Sequence, residues 1–193
     1  MLFRSAVQCG LDMLSAVEKF NEKITSEGRP PVGMGAGINT GLGYLGEMGS
    51  TQRHSYDVLG DSVSTAARIE SKCKEYGCVL LVGDATYQQT KTDFFYLKID
   101  DLAVKGKSVG IGIWKVLDQK RPAWRVAQRK HEEMHEYYRA QKFDKAIASC
   151  KLLQNHFDGK MSGYYDMWIE RCEFQKTQKL PTDWNGVFIA TTK

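Results

Sequence analysis

The chain has 193 residues, with 27 Lys and Arg against 23 Asp and Glu, 42% hydrophobic and 11% aromatic residues. That composition excludes disorder, a collagen-like chain and two large domains, and predicts one domain with an appendage. Five cysteines, odd in number and without a C-x-x-C spacing, argue against a disulfide framework or a zinc knuckle and predict a reducing, cytoplasmic setting.

No apolar run approaches the roughly 18 residues of a spanning helix, and Met1-Leu-Phe-Arg opens no signal peptide. Two asymmetries inform more than the totals. Residues 1–118 carry 13 basic and 14 acidic side chains and residues 119–193 carry 14 and 9, so the net +4 resides in the tail. Half of the 18 glycines fall between Gly28 and Gly60.

Residues 2–26 place Leu2, Val7, Leu11, Leu14, Val17, Phe20 and Ile24 at helical spacing, and Gly28 with Pro30-Pro31 ends the helix. Val32–Ile38 and Leu42–Met48, joined by Asn39-Thr40-Gly41, predict a hairpin. Its internal glycines predict the close approach of another backbone or a ligand. From Asp61 the pattern is helical, with Asp61 or Ser62 as N-cap, Val63, Ala66, Ala67, Ile69 and Cys73 on the buried side, and Gly77 at the end.

Cys78–Val82 reads as a buried strand, Asp84–Thr90 as a short helix, and Phe94–Leu97 and Gly110–Val116 as further strands. The alternation predicts an α/β domain. Beyond Asp118-Gln-Lys-Arg-Pro122 only helical patterns remain, near 123–140, 144–157 and 163–176. Tyr137, Phe143, Ala146 and Cys150 have the spacing of a tetratricopeptide-like helix pair. One such unit cannot bury its face alone, which predicts docking on the domain or on a protein partner. The segment Asp183–Ala190 reads as an extended stretch that tucks in.

His131 and His135 share a helix face but lack further ligands for zinc, and with His54 and His156 they read as surface residues. The basic excess of the tail is interleaved with acids, which argues against nucleic acid as a partner. No G-x-x-x-x-G-K-[ST] occurs, which excludes a P-loop. Gly41-Leu-Gly43-Tyr-Leu-Gly46 matches G-x-G-x-x-G but leads into a strand-like run, where a dinucleotide site needs a helix.

The informative stretch is Val32–Ser50 followed by Arg53-His-Ser-Tyr56-Asp57-Val-Leu-Gly60-Asp61-Ser-Val-Ser64-Thr-Ala-Ala-Arg68-Ile-Glu70. It resembles the catalytic domain of class III nucleotidyl cyclases, most of all the bacterial adenylate cyclases, and the resemblance continues through Val104-Lys105-Gly106-Lys107 to about Val116. It implies an α+β, ferredoxin-like domain over residues 1–118, and residues 119–193 resemble the helical extension of some bacterial members. The implied reaction joins the ribose 3′-oxygen of ATP to the α-phosphate, giving cyclic AMP and pyrophosphate in intracellular signalling.

By that resemblance Arg68 binds phosphoryl oxygens, a task suited to a planar guanidinium that does not deprotonate. Asp57 stands at the base-selecting position: a carboxylate accepts from the adenine 6-amino group and repels the guanine 6-oxo group. On the residues alone, Asp57 equally serves as an acceptor for a backbone N–H in the turn before the helix. Ser64 stands where the family normally has Asn, with a short hydroxyl in place of an amide. Ser64 and Arg68, four apart, share a helix face. Lys105 matches the lysine that meets the β- and γ-phosphates.

The family's first strand, two helices and metal-bearing hairpin find no counterpart, so the resemblance implies an N-terminally truncated domain. The complete enzyme uses Mg2+ or Mn2+, and no metal site is expected from this chain alone. Because family active sites form between two chains, the expected partners are ATP and either a second copy or a complete cyclase chain, and the chain alone is expected to be silent. The alternative is a non-catalytic nucleotide-binding or protein-interaction module. A ferredoxin-like domain without a nucleotide site would leave Asp57, Arg68 and Lys105 coincidental.

Overall fold

Helix α1 (Leu2–Ser26) turns Val7, Gly10 and Ile24 inward to full burial, as its three- and four-residue apolar spacing requires. The computed structural model describes residues 2–50, 53–102, 110–117, 124–181, 184 and 186. After α1 come β1 (Ala36–Ile38), β2 (Tyr44–Ser50), β3 (Arg53–Leu59), α2 (Asp61–Ser71), β4 (Leu80–Gly83), α3 (Asp84–Thr90), β5 (Phe95–Leu102) and β6 (Ile111–Leu117). The helices α4 (Trp124–Arg139), α5 (Phe143–Leu153) and α6 (Ser162–Lys176) follow, with a 3-10 turn at Phe157–Gly159. The result is the mixed α+β class expected, with helices after it.

The chain divides into two compact units, Met1–Asp100 with Ile111–Asp118, and Asp101–Gly110 with Gln119–Lys193. In the first, four strands lie in the order β1-β4-β6-β5, with β1 parallel and β6 antiparallel to β4. Strand alternation gives this sheet two different faces. On one, Leu80 and Val82 of β4, Tyr96 of β5 and Val116 of β6 form a core with Val7 of α1 and with Phe94; Leu11, Leu14 and Ile38 pack against it. Tyr87 of α3 stacks on Trp114 at 3.6 Å between centroids, and the Trp114 indole N–H donates to Asp84 at 3.1 Å. Helix α2 lies on the other face, with Ile69 and Cys73 buried.

Four expectations about this unit are corrected. Val32–Ile38 does not form a hairpin with Leu42–Met48. β1 pairs with β4, and the hairpin is β2–β3, with Tyr44 opposite Leu59 and Gly46 opposite Asp57. Neither Asp61 nor Ser62 caps α2: Gly60 is the N-cap, and the Ser62 hydroxyl donates to the Leu42 carbonyl at 2.6 Å. Helix α2 ends at Ser71 rather than near Gly77, and Val63 and Ala67 are exposed where burial was expected.

In the second unit α4, α5 and α6 enclose an aromatic core. Tyr138, rather than the expected Tyr137, is the α4 tyrosine buried against Phe143, at 5.6 Å between centroids. His131 and His135 are buried rather than on the surface. The reason is chemical: the His131 Nδ1 shares a 2.9 Å hydrogen bond with the Tyr165 hydroxyl, and the His135 Nε2 shares one of 3.0 Å with that of Tyr164. Two imidazoles become core residues because α6 supplies their partners. Trp184 packs edge-on against Tyr138 and Phe143; Asp183 and most of the final stretch lie outside the described residues.

Candidate functional site

The glycine-rich window is what allows α2 to sit where it does. A Cβ on Gly37 would fall against the Ala66 carbonyl oxygen and 2.5 Å from the Glu70 amide nitrogen, so the helix backbone rests directly on strand β1. At Gly37 the close approach expected of the window's glycines is therefore by backbone. At Gly60, φ is +150° and a Cβ would lie 3.0 Å from the Leu42 carbonyl oxygen, which suits glycine at the entry to α2. The Asn39 side-chain amide donates to the Ser62 carbonyl at 3.1 Å and fixes the start of the helix from the other side.

Gly37→Ala is therefore expected to push α2 off the sheet at a cost of about 1–3 kcal/mol, the usual range for overpacking. The check is a denaturant midpoint compared with that of Gly33→Ala, a position with open space around it. Equal shifts in the two variants would mean that α2 does not depend on this contact.

Helix α2 carries Ser64 and Arg68 one turn apart, both exposed. Among the described residues, no hydrogen bond or ion pair engages either side chain, so a guanidinium and a hydroxyl stand free on one surface. Asp57 is on β3, in the strand that leads into α2, and is also exposed. One of its carboxylate oxygens accepts the Val58 backbone N–H at 2.7 Å. The backbone-acceptor reading thus holds for one oxygen, within a strand rather than a turn, and the second oxygen has no hydrogen-bond partner among the described residues. Gly46, directly across the hairpin, has open space above it and leaves Asp57 uncovered.

Ser64 and Arg68 are brought together, whereas no bond joins Asp57 to either. Lys105 lies outside the described residues. What sequence reasoning missed is the surface around Asp57: Tyr44, Leu45, Tyr56, Val58 and Leu59 are all exposed on the hairpin, Tyr44 at 80% and Tyr56 at 70%. An isolated two-stranded hairpin is marginal in water, and an apolar patch of this kind marks a surface for contact. The signal was present as tyrosine and leucine in alternating runs, but the expected hairpin register hid it.

The domain model described as the adenylate and guanylate cyclase catalytic domain matches residues 2–119. The chain belongs to this family. Its cyclase domain is similar to an adenylate cyclase of Anabaena cylindrica, 33% identical over 118 residues that make up 58% of this chain and 24% of that protein. It is similar also to the terminal-differentiation-specific adenylate cyclase of Dictyostelium discoideum, 33% identical over 125 residues, 61% of this chain and 6% of that one. Among solved structures, the adenylyl cyclase CyaB from P. aeruginosa superposes with a TM-score of 0.54 at 28% identity, over 60% of this chain and 59% of that one. The chain spans about a quarter or less of the length of the curated relatives it matches.

Cyclases of this class use Mg2+ or Mn2+ in the complete enzyme. Among the described residues of this cyclase domain, no three His, Cys, Asp or Glu side chains are grouped to hold a metal ion. Also among them, no helix is long and apolar enough to cross a membrane.

Proposed function

We propose that this chain supplies one half of an adenylate cyclase site, the half that reads the base and holds the phosphate chain, to a second cyclase chain that brings the metal ions. The observation that carries the reading is the pair of unengaged side chains, Ser64 and Arg68, on one exposed face of α2. As the ribose 3′-oxygen attacks the α-phosphorus and pyrophosphate leaves, negative charge grows on the phosphoryl oxygens. A guanidinium carried on a helix seated on the sheet can meet two of those oxygens at once.

Ser64 offers one donor where the family places a longer amide. Its contribution runs through a shorter reach or a bridging water. Lys105, by its place in the motif, meets the β- and γ-phosphates. The free oxygen of Asp57 accepts the adenine 6-amino group. The exposed apolar hairpin supports pairing with another chain, and the tetratricopeptide-like residues 119–193 are assigned to protein contact.

The deciding experiment mixes this chain with a complete adenylate cyclase chain whose own phosphate-binding arginine has been removed, and measures cyclic AMP from ATP. Restored synthesis is expected from the mixture and none from this chain alone. Failure of the mixture would favour the alternative, a cyclase half retained for nucleotide or protein binding without catalysis.

Base selection gives a separate prediction. Asp57→Asn removes the charge and offers the guanine 6-oxo group a donor. The preference for ATP over GTP in the mixture is expected to fall by about 10-fold or more, the value of one hydrogen bond to a charged group. An unchanged ratio would remove Asp57 from the base-reading role.

A further inference from the structure

Within the helical unit, the turn between α4 and α5 and the end of α6 line a cavity of about 550 Å³. That is the size of a site for a small ligand or for one residue of another chain. Its walls carry Lys142, Lys145 and Lys176 with three glutamines, and an apolar ligand would find little there but Phe143 and Leu180.

Helix α5 begins in this cavity, and it begins against two local rules. An N-cap favours Ser, Thr, Asp or Asn, and the positive end of the helix dipole disfavours cations in the first turn. Here Lys142 is the N-cap without a side-chain cap, and Lys145 lies within the first turn. The N–H groups of Lys145 and Ala146 donate to the Lys142 carbonyl, whereas those of Phe143 and Asp144 have no acceptor among the described residues. Asp144 does not supply one, since its carboxylate holds the Lys176 ammonium at 2.7 Å. Among the described residues no carboxylate pairs with Lys142 or Lys145, and the Lys145 ammonium stands 5.8 Å from the centre of the Tyr137 ring.

Helix α6 adds an independent sign of a ligand. Gln175 is only 7% exposed, yet no hydrogen bond engages its side-chain amide among the described residues. The amide is not sealed in the core, so the open part of this residue gives onto the cavity that it lines. Its neighbours there differ: the Gln141 amide donates to the Pro181 carbonyl at 3.2 Å, and that of Gln178 to the Thr177 hydroxyl at 2.9 Å. A buried amide calls for a partner, and a break in local rules beside it is the mark of a binding site.

The charge and the number of donors select the ligand. Three lysines against one aspartate leave the lining with a formal +2. A carboxylate brings one charge and two oxygens, too few for two free ammoniums, two free N–H groups and an amide. A phosphate monoester brings three oxygens and a charge of about −1.5 to −2 at neutral pH. We infer that this cavity binds a phosphate monoester, its oxygens met by the Phe143 and Asp144 N–H groups and the Gln175 amide, its charge by Lys142 and Lys145. The site is independent of the cyclase reading and shares no residue with Asp57, Ser64 or Arg68.

Titration of the full chain followed by amide NMR tests this, with O-phosphoserine as the probe, serine as its control, and Arg68→Ala as the background so that the other phosphate contact is removed. The backbone amides of Phe143 and Asp144 and the side-chain amide of Gln175 are expected to shift together and saturate with phosphoserine, and to stay still with serine. Gln175→Glu keeps the volume but faces the phosphate with a like charge, and is expected to weaken binding by about 10-fold or more. Lys142→Ala changes an exposed residue, leaves the fold intact, and is expected to weaken it by about 10-fold. Lys151→Ala, exposed at the other end of α5, is expected to change nothing.

Resonances that ignore phosphoserine would overturn the site, and equal losses from Lys142→Ala and Lys151→Ala would reduce it to unspecific attraction by a basic surface. A phosphoserine peptide that binds roughly 10-fold tighter than the free amino acid would place the phosphate on a protein partner. Equal affinity would assign the cavity to a small phosphorylated molecule.

Discussion

Arg68→Ala is expected to lower the rate of cyclic AMP synthesis in the complemented mixture by about 10²- to 10³-fold, the cost of removing one fixed donor from a developing oxyanion. The structure makes this a clean measurement. Arg68 is exposed on α2 and holds no ion pair among the described residues. Alanine favours a helix at least as well as arginine, and a surface exchange of this kind changes stability by about 0.5 kcal/mol or less. A loss of rate therefore reads as chemistry and not as unfolding.

The loss should appear in kcat more than in KM, because the guanidinium meets charge that exists fully only in the transition state. Arg68→Lys keeps the charge but gives up the planar fork and should recover only part of the rate. A mixture whose rate is indifferent to Arg68→Ala would remove Arg68 from the phosphate site and leave the motif match without its principal chemical support.

Trp168→Ala is expected to cost the helical unit about 3–5 kcal/mol, the range for truncating a buried aromatic. The Trp168 ring is 1% exposed and stands edge-on to His135 and Tyr138, both at 4.8 Å between centroids, with the Arg171 guanidinium 4.5 Å from its centre. Removing it leaves a void on several sides and strips packing from the imidazole that binds Tyr164. Trp168→Phe should cost far less. Among the described residues the buried indole N–H has no hydrogen-bond partner, so losing it relieves a desolvated donor and offsets part of the lost contact. The urea midpoint of the helical signal checks both variants. A smaller shift for alanine than for phenylalanine would contradict this account of the core.

Where local pattern and packing agree, the elements were legible. The buried strand expected over Cys78–Val82 is β4 at Leu80–Gly83, all four residues buried, and the three tail helices fall close to their expected positions. The hairpin was misplaced because Asn39-Thr40-Gly41 carries strong turn chemistry, whereas the partner of β1 stands 44 residues further along, at Ala36 opposite Leu80. Periodicity carries no information about pairing at that distance.

The buried histidines were missed for a related reason. Their tyrosine partners are 34 and 29 residues away, and an imidazole reads as a surface group until such a partner is in place. Of the candidate site, the shared face of Ser64 and Arg68 followed from helical spacing alone. Asp57 did not: nothing in its own neighbourhood separates a base reader from a turn acceptor, and only its position within the longer motif singled it out.

The contrast between the two supports of the candidate site has an evolutionary consequence. Arg68 rides on a helix seated backbone to backbone on Gly37, where few substitutions are tolerated. Asp57 rides on a hairpin held chiefly by its own two strands, and none of its described residues belongs to the buried core. A stability threshold purges changes at Gly37, the seat of that helix, and is nearly blind to changes at Asp57. On the proposed reading, such a scaffold could alter which base it accepts in single steps, without passing through unfolded ancestors, while the seat of the helix that carries Arg68 stays fixed.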